Sequence, residues 1–281
     1  MKVLWISDFG LHHNKGGAQR SNNLIVEKGK ELGHDIVEFF FDSNESLLHP
    51  NYDLLVSSNL EAINRKPNII QWISSHNNHV RVEHDSNRYL SPESRKTLFT
   101  SCKKAFFLSS FHLKKFQESY GSYFINTEIV PDPIDSNCFY DKKEKREDKI
   151  LYVGYMHQLK GTNELFSYAI ENPEKDFVVA GWSDQQHFIQ SCNMIPNIEF
   201  IGTVDFEEMP NLYNSYKTLF YKPAFYEPYC RSVAEAICCG MEIIGNDIIG
   251  CLHHMNEVGR DTMVSECATA PELFWEKVTC L

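Results

Sequence analysis

The chain has 281 residues, 42% hydrophobic and 23% charged, with a net charge of −11 at neutral pH. That length allows two domains that each bury a core, and the composition is that of a water-soluble globular protein. The acidic balance argues against a protein that coats nucleic acid, the apolar runs are too short for a bilayer, and no signal-peptide pattern follows Met1. Nine cysteines without a CxxC pair point to free thiols in a reducing cytoplasm.

Residues 2–6 read as a buried first strand that ends at Ser7-Asp8. A polar loop leads to Gly16-Gly17-Ala18-Gln19-Arg20 and then to a helical pattern with Leu24, Ile25 and Leu32 on one face, stopped by Gly33. Paired glycines between strand and helix let a backbone approach a phosphate or sugar, or simply make a turn. Their spacing is not GxGxxG, which argues against a dehydrogenase. Residues 35–41, 53–57, 68–73, 79–82 and 105–109 read as further strands. Alternation with helix-length polar stretches predicts βα units and a parallel sheet.

His84-Asp85 follows Val80-Arg81-Val82-Glu83 at a strand's carboxyl end, where an imidazole suits contact with a hydroxyl or rests on a polar loop. Between His79 and Tyr120 eight basic residues, among them Arg81, Arg88, Arg95 and Lys96, stand against four acids. They read as a solvated helix face or as a basic surface for an acidic partner. His76 and His79 form an HxxH pair, and His12-His13 and His253-His254 are adjacent. With no third ligand indicated and no DxD motif, a metal-independent reaction is expected.

Two prolines in Val130-Pro131-Asp132-Pro133-Ile134-Asp135 fix the direction of the chain as it leaves the first half. The nearly all-charged run 141–149 reads as an exposed linker, which places the domains at 1–144 and 145–281. Residues 150–153 form a strand ending at Gly154, and Lys160-Gly161 precede a helix with Leu165, Ala169 and Ile170. Strands are expected at 176–181 and 197–202, a helix at 209–213, and a last helical stretch at 271–278. Within 221–246, Pro223 ends a strand and residues 232–239 form a helix stopped by Gly240. Glu227 and Glu235 bracket the start of that helix at the carboxyl edge of a parallel sheet, a place that favours phosphate. Solvated surface glutamates would show the same spacing.

The run from Glu227 to Ala236, followed by Cys239-Gly240 and Ile243-Ile244, resembles the signature of retaining GT-B glycosyltransferases, especially family 4 (glycosyltransferase group 1). Gly16-Gly17, the 130–135 segment, and Gly154 with Lys160-Gly161 are similar to other parts of that family. The resemblance implies an α/β GT-B architecture of two Rossmann-like domains whose parallel sheets face a central cleft, acceptor on the N-terminal side and donor on the C-terminal side. It implies metal-independent transfer of a hexosyl or pentosyl group, with retention, from a nucleotide-diphosphate sugar, UDP-sugar foremost, to an acceptor hydroxyl, without a cofactor. His84, Glu227 and Lys160 would be catalytic, and Gly16, Gly17, Gly154, Tyr229, Cys230, Arg231 and Glu235 would bind the donor. Tyr155 stands where the family has Arg, and Arg231 is the candidate substitute. The short end of the chain reads as a reduced form, without the family's closing helix that returns to the first domain.

A saccharide or glycan is the default acceptor. A hydroxymethylated base in phage DNA is the second choice, suggested by small size, by a composition that suits a phage or AT-rich genome, and by the basic stretch at Arg81, Arg88, Arg95 and Lys96. The location would then be a bacterial or phage-infected host cytoplasm. Two other functions stay open: a nucleotide-sugar-binding protein without catalysis, and a nucleotide-sugar epimerase on the same fold.

Overall fold

The computed structural model describes residues 1–86, 90–121 and 126–280. Two units partition it: Met1–Pro133 with Ser265–Leu281, and Ile134–Val264.

The first unit alternates β1 (Lys2–Ile6), α1 (Gly17–Glu31), β2 (Asp35–Phe39), β3 (Leu54–Ser58), α2 (Pro67–Ser75), β4 (His79–Val82), α3 (Pro92–Ser101), β5 (Lys104–Phe107), α4 (Ser110–Tyr120) and β6 (Thr127–Ile129). Its six strands are all parallel, in the order β2-β1-β3-β4-β5-β6. Every residue of β3 and of β4 is buried, as expected of strands covered on both faces. Because the strands are parallel, Asp8, Asn59, His84 and Ser109 emerge at one edge. Asp8 accepts the N–H groups of Ala62 and Ile63 at 2.8 Å each, while burial raises its pKa.

Residues 68–73, expected as a strand, lie instead in α2. Pro67 occupies its first turn, and Ile69, Ile70 and Ile73 are buried at helical spacing while Trp72 is only partly covered.

The second unit holds β7 (Glu147–Tyr155), α5 (Thr162–Glu171), β8 (Phe177–Trp182), α6 (Gln186–Met194), β9 (Ile198–Gly202), α7 (Met209–Ser215), β10 (Tyr216–Phe220), α8 (Arg231–Cys238), β11 (Glu242–Ile244) and α9 (Gly250–Val258). Its sheet is also wholly parallel, in the order β11-β10-β7-β8-β9. The charged run 141–149 is not a free linker. The Arg146 guanidinium donates to Asp141 at 2.8 Å and to the Cys239 carbonyl, the Lys142 N–H donates to Asn214 at 3.0 Å, and β7 begins at Glu147.

The last helix, α10 (Arg260–Thr279), carries Pro271 in its interior. From Ser265 onward its residues belong to the first unit, whereas the sequence reading kept them with the second domain and expected no returning helix. Ala270, Phe274, Trp275 and Val278 pack with Val3, Trp5, Ile25 and Val26. The Trp275 indole donates to the Ile25 carbonyl at 2.7 Å. Gly29 makes this possible, since a Cβ there would run into the Trp275 ring. Among the described residues no helix is long and apolar enough to cross a membrane.

Candidate active site

In the second unit β10 and β7 are parallel neighbours, so the loops after them leave the same edge of the sheet. The turn after β7 carries Lys160, and the loop after β10 carries Glu227. Gly161 lets the two meet: it takes a φ of +81°, and a Cβ there would strike the Lys222 carbonyl. Lys160 Nζ lies 2.6 Å from Glu227 Oε1, and the Tyr221 hydroxyl donates to the same oxygen at 2.9 Å. Burial, with Glu227 close by, holds the Tyr221 hydroxyl well above its usual pKa, so it stays a donor. The Glu227 main chain is pinned as well. Its N–H donates to the Ile248 carbonyl and its carbonyl accepts from the Gly250 N–H, both at 2.9 Å.

Tyr229 is buried, with its hydroxyl 2.8 Å from His254 Nδ1. Cys230 turns the chain into α8 with a φ of +74°, a conformation that costs a non-glycine residue energy and is often retained at binding sites. Burial, aided by Glu227, raises its thiol pKa, so it is a protonated group and not a nucleophile. One turn into α8, Arg231 Nε donates to Glu235 Oε1 at 2.8 Å, and the buried Tyr213 hydroxyl reaches Glu235 Oε2 at 3.4 Å. Two carboxylates, each with its own cation, therefore flank the first turns of α8, whose leading N–H groups form the positive end of the helix dipole.

Gly154 lies near the end of β7, and Tyr155 follows it. Tyr155 stacks on His157 at 5.6 Å between ring centroids and packs on Trp182 at 4.6 Å, while its hydroxyl donates to Asp184. An aromatic cluster thus occupies the place where an arginine was expected.

In the first unit Gly16 caps α1, with its N–H donating to Asn14 Oδ1 at 3.0 Å, and Gly17 is the first helical residue. His84 is buried just past β4, with Nε2 3.0 Å from Asn22 Oδ1. Two members of the basic stretch are interior groups. Arg81 is fully buried and donates twice to Glu83 Oε2, at 2.8 and 3.1 Å, because alternate residues of β4 and its continuation share a face. Arg95 is buried too, donating to the Leu90 carbonyl at 2.8 Å with its guanidinium 3.5 Å from the Tyr120 ring centroid. Lys96 is exposed, and Arg88 lies outside the described residues.

The paired histidines have protein partners. His79 meets Ser57 Oγ at 2.8 Å, His13 meets Asp42 at 3.2 Å, and His253 meets the Asp247 carbonyl at 2.6 Å. Among the described residues no group of three or more His, Cys, Asp or Glu side chains is placed to hold a metal ion. Sequence reasoning missed Tyr221 and Asn22. Tyr221, a polar-tipped aromatic ending an apolar strand beside the Glu227 loop, carried a usable signal. Nothing local marked Asn22.

Residues 137–278 match the family described as glycosyl transferases group 1. The chain belongs to this family of glycosyltransferases. Solved structures agree on the fold. The glycosyltransferase is similar to Alr3699/HepE of Anabaena, solved with UDP and glucose, at 14% identity and a TM-score of 0.71 over 100% of both chains. It is similar to a glycosyltransferase of Rickettsia africae at 16% identity and a TM-score of 0.70, over 99% of this chain and 93% of that one. It also resembles WaaG, a glycosyltransferase of lipopolysaccharide biosynthesis, at 14% identity and a TM-score of 0.64, over 97% and 90%. No curated protein matches the glycosyltransferase.

Proposed function

We propose that this glycosyltransferase is a retaining, family 4-like enzyme that moves a hexosyl or pentosyl group from a UDP-sugar to a saccharide hydroxyl without a metal ion. The observation that carries this reading is the contact of Lys160 with Glu227 beside the first turn of α8. A donor diphosphate would take the lysine, as a point charge, together with the helix N–H groups around Tyr229 to Arg231, leaving Glu227 to accept hydrogen bonds from the sugar. Glu235 would hold the ribose. In the first unit, Gly16 and Gly17 would offer backbone to phosphate, and His84 would meet a hydroxyl of the transferred sugar.

The acceptor oxygen attacks the anomeric carbon on the face from which the phosphate departs. The carbon–phosphate oxygen bond breaks, the new glycosidic bond forms, and the acceptor proton passes to the leaving phosphate. Positive charge at the departing diphosphate stabilises that transition state, and bound orientation supplies much of the rest. Nine free cysteines support a reducing compartment. A hydroxymethylated DNA base stays the second choice of acceptor; Arg81 and Arg95, buried and paired inside the first unit, lend it no support, whereas Lys96 is exposed.

A thermal-shift panel of nucleotide sugars should single out a UDP-sugar, since a ligand that binds only the folded state raises its melting temperature. Transfer to a saccharide should then give a product with the donor's anomeric configuration by proton NMR. An inverted product would refute retention. Donor binding with no transfer or hydrolysis, unchanged by Glu227→Ala, would mark a binding protein, and a sugar altered without an acceptor would mark an epimerase.

A further inference from the structure

The carboxyl edge of the first sheet contains a row of two amides and a carboxylate whose hydrogen bonds have a definite direction. Asn22 is buried on the second turn of α1, Asn59 follows β3 with a left-handed φ of +45°, and Asp85 follows His84 beyond β4. An amide side chain can be turned either way, so its orientation has to be read from its neighbours. Here one end of the row settles it. Asn59 Nδ2 lies 3.0 Å from Asp85 Oδ2, and a carboxylate only accepts. The Asn59 NH₂ therefore faces Asp85, and its carbonyl oxygen faces the Ser58 hydroxyl at 3.0 Å and Asn22 Nδ2 at 3.4 Å. With its NH₂ turned to Asn59, Asn22 presents its oxygen to the Ser58 hydroxyl at 3.1 Å and to His84 Nε2 at 3.0 Å. Only an N–H suits that oxygen.

The origin of the row is itself held. The Asp85 carbonyl accepts from His112 Nε2 at 3.1 Å, while His112 Nδ1 accepts the Leu108 N–H at 3.4 Å. Burial pushes the pKa of His112 down to about 3, so it holds Asp85 as a neutral ring with one defined tautomer. The Asp85 N–H donates to Glu83 Oε1 at 3.3 Å, and Glu83 is locked by Arg81.

We propose that Asp85, Asn59 and Asn22 form a relay of fixed polarity that keeps neutral His84 as its Nε2–H tautomer, making Asn22 a positioning residue for that imidazole. The catalytic consequence rests on the reading that His84 meets the transferred sugar. In this tautomer the proton sits on Nε2 and the lone pair on Nδ1, which sets how the ring would meet a sugar hydroxyl.

The test is nitrogen–proton NMR of the imidazole rings in full-length, ¹⁵N-labelled protein near neutral pH, with the His84 signals assigned by their loss in His84→Gln. The wild type should show the Nε2–H pattern. Asn22→Ala should shift it toward a tautomer mixture and lower kcat about tenfold, as expected for loss of one buried orienting hydrogen bond, with donor KM changed less than about twofold. An Nδ1–H pattern in the wild type, or one unaltered in Asn22→Ala, overturns the relay. A wild-type Nε2–H pattern combined with full transfer by His84→Gln upholds the relay and overturns the role given to His84 in the proposed reaction.

Discussion

Two cation–carboxylate contacts of similar length behave differently because of where the chain places them. Arg81 and Glu83 meet at 2.8 Å with side chains 0% and 2% exposed, whereas Lys160 and Glu227 meet at 2.6 Å with 41% and 15% exposed. Arg81 projects from within β4, between strands on both sides, and has no route to a ligand. Lys160 stands on a turn beyond β7 and keeps much of its water, so it can exchange Glu227 for an anion at little cost. The first pair is part of the interior. The second, under the proposed function, is a contact that the donor would replace.

The sharpest way to break this comparison is to remove one member of each pair. Arg81→Met leaves a buried carboxylate without its cation and should lower the unfolding free energy by about 3–5 kcal/mol in urea titrations, with transfer per folded molecule reduced far less than in Lys160→Ala. Lys160→Ala should do the reverse: kcat/KM falls about 10²–10³-fold while the unfolding free energy moves by less than about 1 kcal/mol. Equal stability losses in the two variants would erase the distinction.

Acid offers a milder test of the claim that His79 and His112 sit neutral inside the first unit. His79 and His112 are buried there, and burial lowers each pKa from 6.5 to about 3. Between those values the unfolded chain binds protons that the folded chain refuses. Their contribution is therefore complete above pH 6.5 and is lost as the pH falls toward 3, at about 1.4 kcal/mol per pH unit for each ring. Urea midpoints should drop accordingly, and His79→Gln should roughly halve the slope. A flat profile from pH 6.5 to 5 would contradict the assignment.

The smallest effect concerns the second cation of the second unit. Tyr155 occupies the place of the family arginine, and Arg231 stands at the start of α8 with Glu235 as partner. Arg231→Ala should raise donor KM about tenfold with kcat little changed, as loss of one charge-assisted contact to bound phosphate would. An unchanged KM would show that Arg231 does not stand in for the missing residue.

Much of the second unit's edge carried local marks in the sequence, although the Lys160–Glu227 contact itself spans 67 positions. Glu227 and Glu235 sit eight positions apart around a single turn, and Lys160-Gly161 directly precedes a helix. The first unit's edge was not legible, since its relay joins residues 22, 59 and 85, and no pattern along the chain pairs an asparagine on α1 with one beyond β3. Counting charge between His79 and Tyr120 misled for a related reason. A sum over residues ignores direction, while the alternation Val80-Arg81-Val82-Glu83 already put Arg81 and Glu83 on one face of a strand. The 68–73 stretch failed on period: Ile69, Ile70 and Ile73 after Pro67 fit a helix better than alternation.

The place of Trp275 bears on how the protein is made. Its ring and Phe274 fill the interior beside Val3, Trp5 and Ile25, yet they are translated only after the intervening unit. At about 5–20 residues per second, the roughly 130 residues from Ile134 to Val264 take on the order of 7–26 s to synthesise. Throughout that interval the amino-terminal half lacks the two aromatic side chains that complete its interior.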